Sequence, residues 1–256
     1  MKFASILATS TILGGLLLAP AQAATFVNGG FEAGDSSGWT LGGTSSPRSV
    51  NNSGLTPATI GTGDTSRSTI INTAYVDPNL GAALGSTIYN GNYSWRVENT
   101  VNGGYASYIQ QQVLNYTDND IFFEWKAVLE AAHDAETSAT MKIILTDTTT
   151  GTDVITRIYN AATGTGGGAP FSFDGRFYYT PNWQVEHLDL AALGLIGDDF
   201  LLTVIGSDCQ PTGHMGYVYL DGFAPTVIPP GVPEPASLAL LGAGLLGLTA
   251  ARRKRR

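Results

Sequence analysis

The chain has 256 residues, 13 of them basic and 21 acidic, for a formal charge of −8. Lys2, Arg252, Arg253, Lys254, Arg255 and Arg256 hold six of those bases and Glu234 one of the acids, so the stretch between carries about −13. Such a surface repels nucleic acid and anionic lipid, which excludes nucleic-acid function, and the single cysteine, Cys209, excludes an intrachain disulfide.

Taken in chain order, residues 1–23 open with Lys2, continue through an apolar stretch and end on Ala21-Gln22-Ala23, a small-x-small cleavage site. That order predicts a secretory signal peptide. Residues 24–228 then read as one β-sandwich domain, rich in Gly, Thr, Ser and Asn and poor in long helical patterns. In "YSWRVE" Tyr93, Trp95 and Val97 point one way and Ser94, Arg96 and Glu98 the other. In "YASYIQQQV" Tyr108, Gln110 and Gln112 share one face. An aromatic beside amides suits a glycan-binding platform, with Trp183, Trp39, Tyr178 and Tyr179 as further aromatic candidates.

"IFFEWKAVLE" predicts a half-buried strand, Ile121, Phe123, Trp125, Ala127 and Leu129 facing in, Glu124, Lys126 and Glu130 facing out. "TMKIILTDTTTGTDVITRIY" predicts a hairpin turning at Thr150-Gly151, and "LDLAALGLIG" a short helical turn. "FLLTVIG" and "YVYLDGF" supply two closing strands. No internal repeat is visible, which disfavours a propeller or solenoid. The fold class is therefore all-β, an antiparallel two-sheet jelly-roll sandwich.

Few residues carry chemistry. Cys209 and His214 bracket "QPTG", a hairpin turn that brings the two side chains close, with Asp208 beside them. A thiol nucleophile with base and orienter can be drawn from these, but its only basic neighbour is His214, so a buried structural cysteine is the stronger reading and a metal held by Asp208 and His214 a third. "AAHDAETS" gathers His133, Asp134 and Glu136 without the His-x-x-x-His spacing of a zinc protease. Glu124 and Glu130 lie about 20 Å apart on one strand, too far for a glycosidase pair.

The tail has a different logic. Residues 229–235 form a Pro-rich linker containing Pro233, Glu234 and Pro235. The apolar run 236–251 makes a helix of about 24 Å against a hydrocarbon core of ~30 Å, which predicts a C-terminal transmembrane helix with some bilayer adjustment. The basic block 252–256 belongs on the cytoplasmic side.

Two resemblances follow from these residues. Pro233-Glu234-Pro235, a glycine-interrupted apolar helix and an arginine cluster resemble the PEP-CTERM sorting signal of exopolysaccharide-producing Gram-negative bacteria, a tail also named after the ice-binding proteins that carry it. The resemblance implies an exosortase-type processing enzyme as partner, a membrane-anchored precursor, and export to the surface or matrix. "FVNGGFEAGDSSGWT" and "YVYLDGF" resemble the opening and closing strands of galactose-binding-like and carbohydrate-binding jelly rolls. There a structural Ca²⁺ bridges the two strands, which implies Glu32 and Asp221 as ligands here. Gly222 stands where many relatives have a second acid. The function expected is a non-catalytic surface or matrix protein associated with extracellular polysaccharide and binding carbohydrate. The alternative is a secreted hydrolase with an unrecognised active site.

Overall fold

The computed structural model describes residues 25–162, 168 and 170–227. The signal segment with Ala21 and Ala23, the motif Pro233-Glu234-Pro235, the apolar run 236–251 and Arg252, Arg253, Lys254, Arg255 and Arg256 lie outside the described residues. Among the described residues no helix is long and apolar enough to cross a membrane.

The strands in chain order are β1 (Thr40–Gly43), β2 (Thr69–Asn72), β3 (Tyr93–Val97), β4 (Ala106–Val113), β5 (Asp120–Glu130), β6 (Thr140–Asp147), β7 (Thr152–Asn160), β8 (Ser172–Phe173), β9 (Phe177–Tyr179), β10 (Gln184–Asp189), β11 (Phe200–Ser207) and β12 (Gly216–Ala224). They form two antiparallel sheets, in the order β1-β4-β11-β6-β7 and β2-β3-β12-β5-β9-β8, with β10 also paired to β5. The all-β two-sheet jelly-roll sandwich expected from the alternating segments is the fold the chain adopts.

Side-chain alternation builds the interior. Ile121, Phe123, Trp125, Ala127 and Leu129 of β5 meet Ile109 of β4, Met141, Ile143 and Leu145 of β6, and Val204 of β11 across the sandwich. The hairpin β6–β7 turns where expected: Gly151 has φ +74° and its N–H donates to the Asp147 carbonyl at 2.8 Å, while Asp147 Oδ1 accepts from the Thr149 and Thr150 N–H groups. The single-turn helices are α1 (Pro57–Ile60) and α2 (Leu190–Leu193). The second is the turn read from "LDLAALGLIG", capped by Asp189 Oδ1 accepting from the Ala192 N–H and closed by left-handed Gly194.

Two expectations need correction. Glu124, Lys126 and Glu130 do not face solvent; they are 1%, 2% and 6% exposed. The segment 73–92 folds over the outer face of the larger sheet, and its Leu84 and Ile88 pack with Ile71 of β2, Val128, Tyr217 and Tyr219. Lys126 Nζ donates to the Leu84 carbonyl and, at 3.1 Å, to that of Ser86. Asp77 ties the cover down, its Oδ2 accepting from the hydroxyls of Tyr217 at 2.9 Å and Tyr219 at 2.6 Å. The second correction concerns "FVNGGFE", which forms turns rather than an opening strand. It docks by close backbone approach: a Cβ on Gly29 would lie 2.1 Å from the Phe223 carbonyl oxygen, so only glycine fits. Phe31 stacks between Trp39 and Trp95, at 5.2 and 5.7 Å between ring centroids.

Candidate functional site

The docked N-terminal turns bring Glu32 and Asp221 to one small cavity of about 210 Å³, bordered by Gly30, Asn90 and Gly222. Glu32 accepts from the Asn92 and Tyr93 N–H groups at 2.9 Å each through Oε1. Asp221 Oδ2 accepts from the N–H groups of Tyr89 and Asn90, and Oδ1 from that of Gly222. Burial, opposed by these three donors, pushes the Asp221 carboxyl well above the usual range.

A third acid stands behind them. Glu124 of β5 is the register partner of Asp221 on β12, and both lie on the outer face of the larger sheet. A Cβ on Gly222, which has φ +72°, would come within 1.6 Å of Glu124 Oε2. A side chain at position 222 is thus excluded by the Glu124 carboxylate. Burial, then the Asp221 charge, lift the Glu124 carboxyl to about 9. Both its oxygens, and Asn90 Oδ1, are buried without a hydrogen-bond partner among the described residues. Alternation alone puts Glu124 on the solvent face; the glycine at 222 is the sequence signal that its carboxylate is covered.

Asn90 also borders a larger groove of about 610 Å³, lined by Thr73, Ser86, Tyr89, Asn182 and Trp183. Trp183 is held by its indole N–H, which donates to the Ser86 carbonyl at 3.1 Å, and its ring meets that of Tyr89 edge-on at 5.8 Å. Lys126 Nζ lies 5.9 Å from the same ring. An aromatic wall beside two amides and two hydroxyls can stack a sugar ring and hydrogen-bond its hydroxyls.

The other aromatic strip is different. Tyr108 is 5% exposed, packed with Leu55, Ile60 and Ile205 beneath the segment that carries α1, while Gln110 is half-buried and Gln112 exposed. That strip presents no aromatic ring to solvent, which corrects its reading as a platform.

Cys209 and His214 do meet, Sγ to Nδ1 at 3.4 Å, and the Cys209 N–H donates to the His214 carbonyl. Asp208 does not join them: its carboxylate accepts from the N–H groups of Tyr105 and Gly216. Burial raises the Cys209 thiol above its ordinary range, opposite to what a nucleophile requires.

The tail matches the PEP-CTERM protein-sorting motif over residues 231–256. That motif implies export and a precursor anchored in the membrane through its C-terminus. No curated protein matches the sequence. Among solved structures, the chain is similar to a family 61 carbohydrate-binding module in complex with β-1,4-galactotriose, at 11% identity over 78% of this chain and 95% of that one, TM-score 0.40. It is similar to a family 27 module of Caldicellulosiruptor saccharolyticus in complex with mannohexaose, at 10% identity over 78% of this chain and 97% of that one, TM-score 0.37. A carbohydrate-binding module of the β-sandwich superfamily with promiscuous specificity shares 12% identity over 79% of this chain and 62% of that one, TM-score 0.35.

Proposed function

We propose that this is an exported, non-catalytic carbohydrate-binding protein of the surface or matrix of a Gram-negative bacterium, processed by an exosortase-type enzyme near Pro233-Glu234-Pro235 and associated with exopolysaccharide. The observation that carries the reading is the groove in which Trp183 and Tyr89 stand among Asn90, Asn182, Ser86 and Thr73. Its donors and acceptors are uncharged, which suits a neutral polysaccharide. Glu124 and Asp221 are each 1% exposed and cannot reach a glycosidic bond in the groove, which favours binding over hydrolysis.

Calcium completes the proposal. Ca²⁺ takes six to eight hard oxygens; Glu32, Asp221 and Asn90 border one cavity, and Glu124 stands beside Asp221 on the neighbouring strand. The unpartnered oxygens of Glu124 and Asn90 fit a cation better than they fit a closed hydrogen-bond network. When bound, the ion would keep the buried acids ionised and fix the Tyr89–Asn90 backbone that forms one wall of the groove.

The test is binding of the exported protein to a panel of soluble polysaccharides, followed by calorimetry. We expect at least one neutral polysaccharide to bind, and Trp183→Ala to weaken it at least tenfold, about 1.4 kcal/mol. Retention of no polysaccharide, or binding that Trp183→Ala leaves unchanged, overturns the reading.

A further inference from the structure

We propose that His133, Cys209 and His214 form a binding site for a zinc-class transition-metal ion, separate from the acidic cavity and independent of the carbohydrate reading. One atom from each residue, two imidazole nitrogens and one sulfur, lies within 4.8 Å of the others.

The topology explains why residues so distant in sequence converge. β5 and β12 are antiparallel neighbours, with Gly216 opposite Leu129. The end of β5 and the start of β12 therefore share one edge of the sheet. His133 follows β5 by three residues and His214 precedes β12 by two, so their rings meet at 4.9 Å between centroids. Cys209 lies in the turn that joins β11 to β12.

The backbone around the site is fixed without help from the three side chains. The Ala132 N–H donates to the Ala161 carbonyl at 3.0 Å, and the Gln210 N–H to the Thr137 carbonyl at 2.8 Å. Asp134 Oδ1 accepts from the N–H groups of Glu136 and Thr137, which fixes the turn that follows His133. His133 holds φ +62°, a left-handed conformation that few residues other than glycine adopt.

The distances suit the ion. With Zn–S near 2.3 Å and Zn–N near 2.05 Å, tetrahedral coordination places sulfur and nitrogen about 3.6 Å apart and two nitrogens about 3.3 Å apart. Cys209 Sγ and His214 Nδ1 already stand at 3.4 Å. The exposed His133 ring has the freedom to close the remaining gap. Nitrogen and thiolate donors select borderline or soft ions and reject calcium, the reverse of the Glu32–Asp221 cavity. Cys209 would bind as thiolate, its proton passing to solvent as the metal–sulfur bond forms. Because His133 is exposed and His214 only half-buried, the fourth position opens to water or to an outside donor.

The test titrates Zn²⁺ and Co²⁺ into exported protein stripped with chelator. We expect one ion per chain, and a thiolate-to-cobalt charge-transfer band in the near ultraviolet that Cys209→Ser abolishes. Removing even an outer-shell partner of a metal ligand lowers affinity by about 10- to 100-fold, so His133→Ala should weaken Zn²⁺ at least tenfold. His133 is exposed, so this variant keeps its β-rich circular dichroism even if Cys209→Ser does not fold. Glu32→Ala should leave Zn²⁺ binding unchanged. Absence of stoichiometric binding, a cobalt complex without the sulfur band, or affinity unaltered by His133→Ala overturns the site.

Discussion

The two faces of β5 are both largely buried and differ in chemistry, one wholly apolar and the other mixed. Toward the other sheet stand Ile121, Phe123, Trp125, Ala127 and Leu129; on the opposite face Glu124, Lys126 and Glu130 share the strand with Phe122 and Val128. The apolar face gains stability from area removed from water, at about 25 cal/mol per Å². The polar face gains little from burial and depends on partners, which are graded along the strand. Glu130 accepts from Arg176 Nε at 2.8 Å and from the Met215 N–H; Lys126 reaches two carbonyls; Glu124 has none among the described residues. Burial alone therefore does not mark a core. On this strand Glu124 is the acid at which burial is nearly complete and hydrogen bonding is not.

Substitutions along β5 sharpen that contrast. Trp125→Ala should have the largest effect, a loss of about 3–5 kcal/mol from cavity formation, read as a fall of roughly 10 °C in melting temperature. Lys126→Met comes next: it leaves the Leu84 carbonyl unpaired and the Ser86 carbonyl with the Trp183 indole N–H alone, and should lower stability by about 1–3 kcal/mol in urea unfolding. A Lys126→Met protein as stable as the parent would show that the apolar contacts and the Asp77 hydrogen bonds hold the cover without Lys126.

Glu124→Gln tests the unpartnered end. At calcium ten times its dissociation constant the parent should gain about 1.4 kcal/mol over chelator, a rise of roughly 3–5 °C. Glu124→Gln, Glu32→Ala and Asp221→Ala should each lose most of that rise. In chelator Glu124→Gln should melt no lower than the parent, because a neutral amide replaces an acid that burial holds protonated. The smallest effect belongs to Val185→Thr on β10. Val185 is the register partner of Glu124 yet is 47% exposed, since the cover ends before it, and its replacement should stay within about 0.5 kcal/mol.

The inner face was legible in the sequence because period-two alternation names the residues that share a side, and the hairpin at Gly151 and the capped turn at Asp189 carry local signals. The outer face was not, because alternation does not say what covers the other side. The cover, residues 73–92, is mostly aperiodic, anchored by Asp77 on two tyrosines from β12, and nothing in its composition announces those contacts. The same gap hid Tyr108 beneath Leu55 and Ile60. Spacing of five residues revealed the Cys209–His214 contact, while His133, 76 positions before Cys209, became visible only through the pairing of β5 with β12. Asp221 and Glu32 came from resemblance to a strand pair, although one member of that pair is a chain of turns.

The position of β12 in the chain has a consequence for delivery. This strand sits inside the larger sheet, between β3 and β5, yet it is the last strand of the body. Until residue 224 has emerged, β3 and β5 have no common neighbour and the two halves of that sheet cannot join. Contacts of such long sequence separation form late and slow folding. A polypeptide that carries a protein-sorting motif in its tail thus withholds the closure of this sheet until almost all of the body is present.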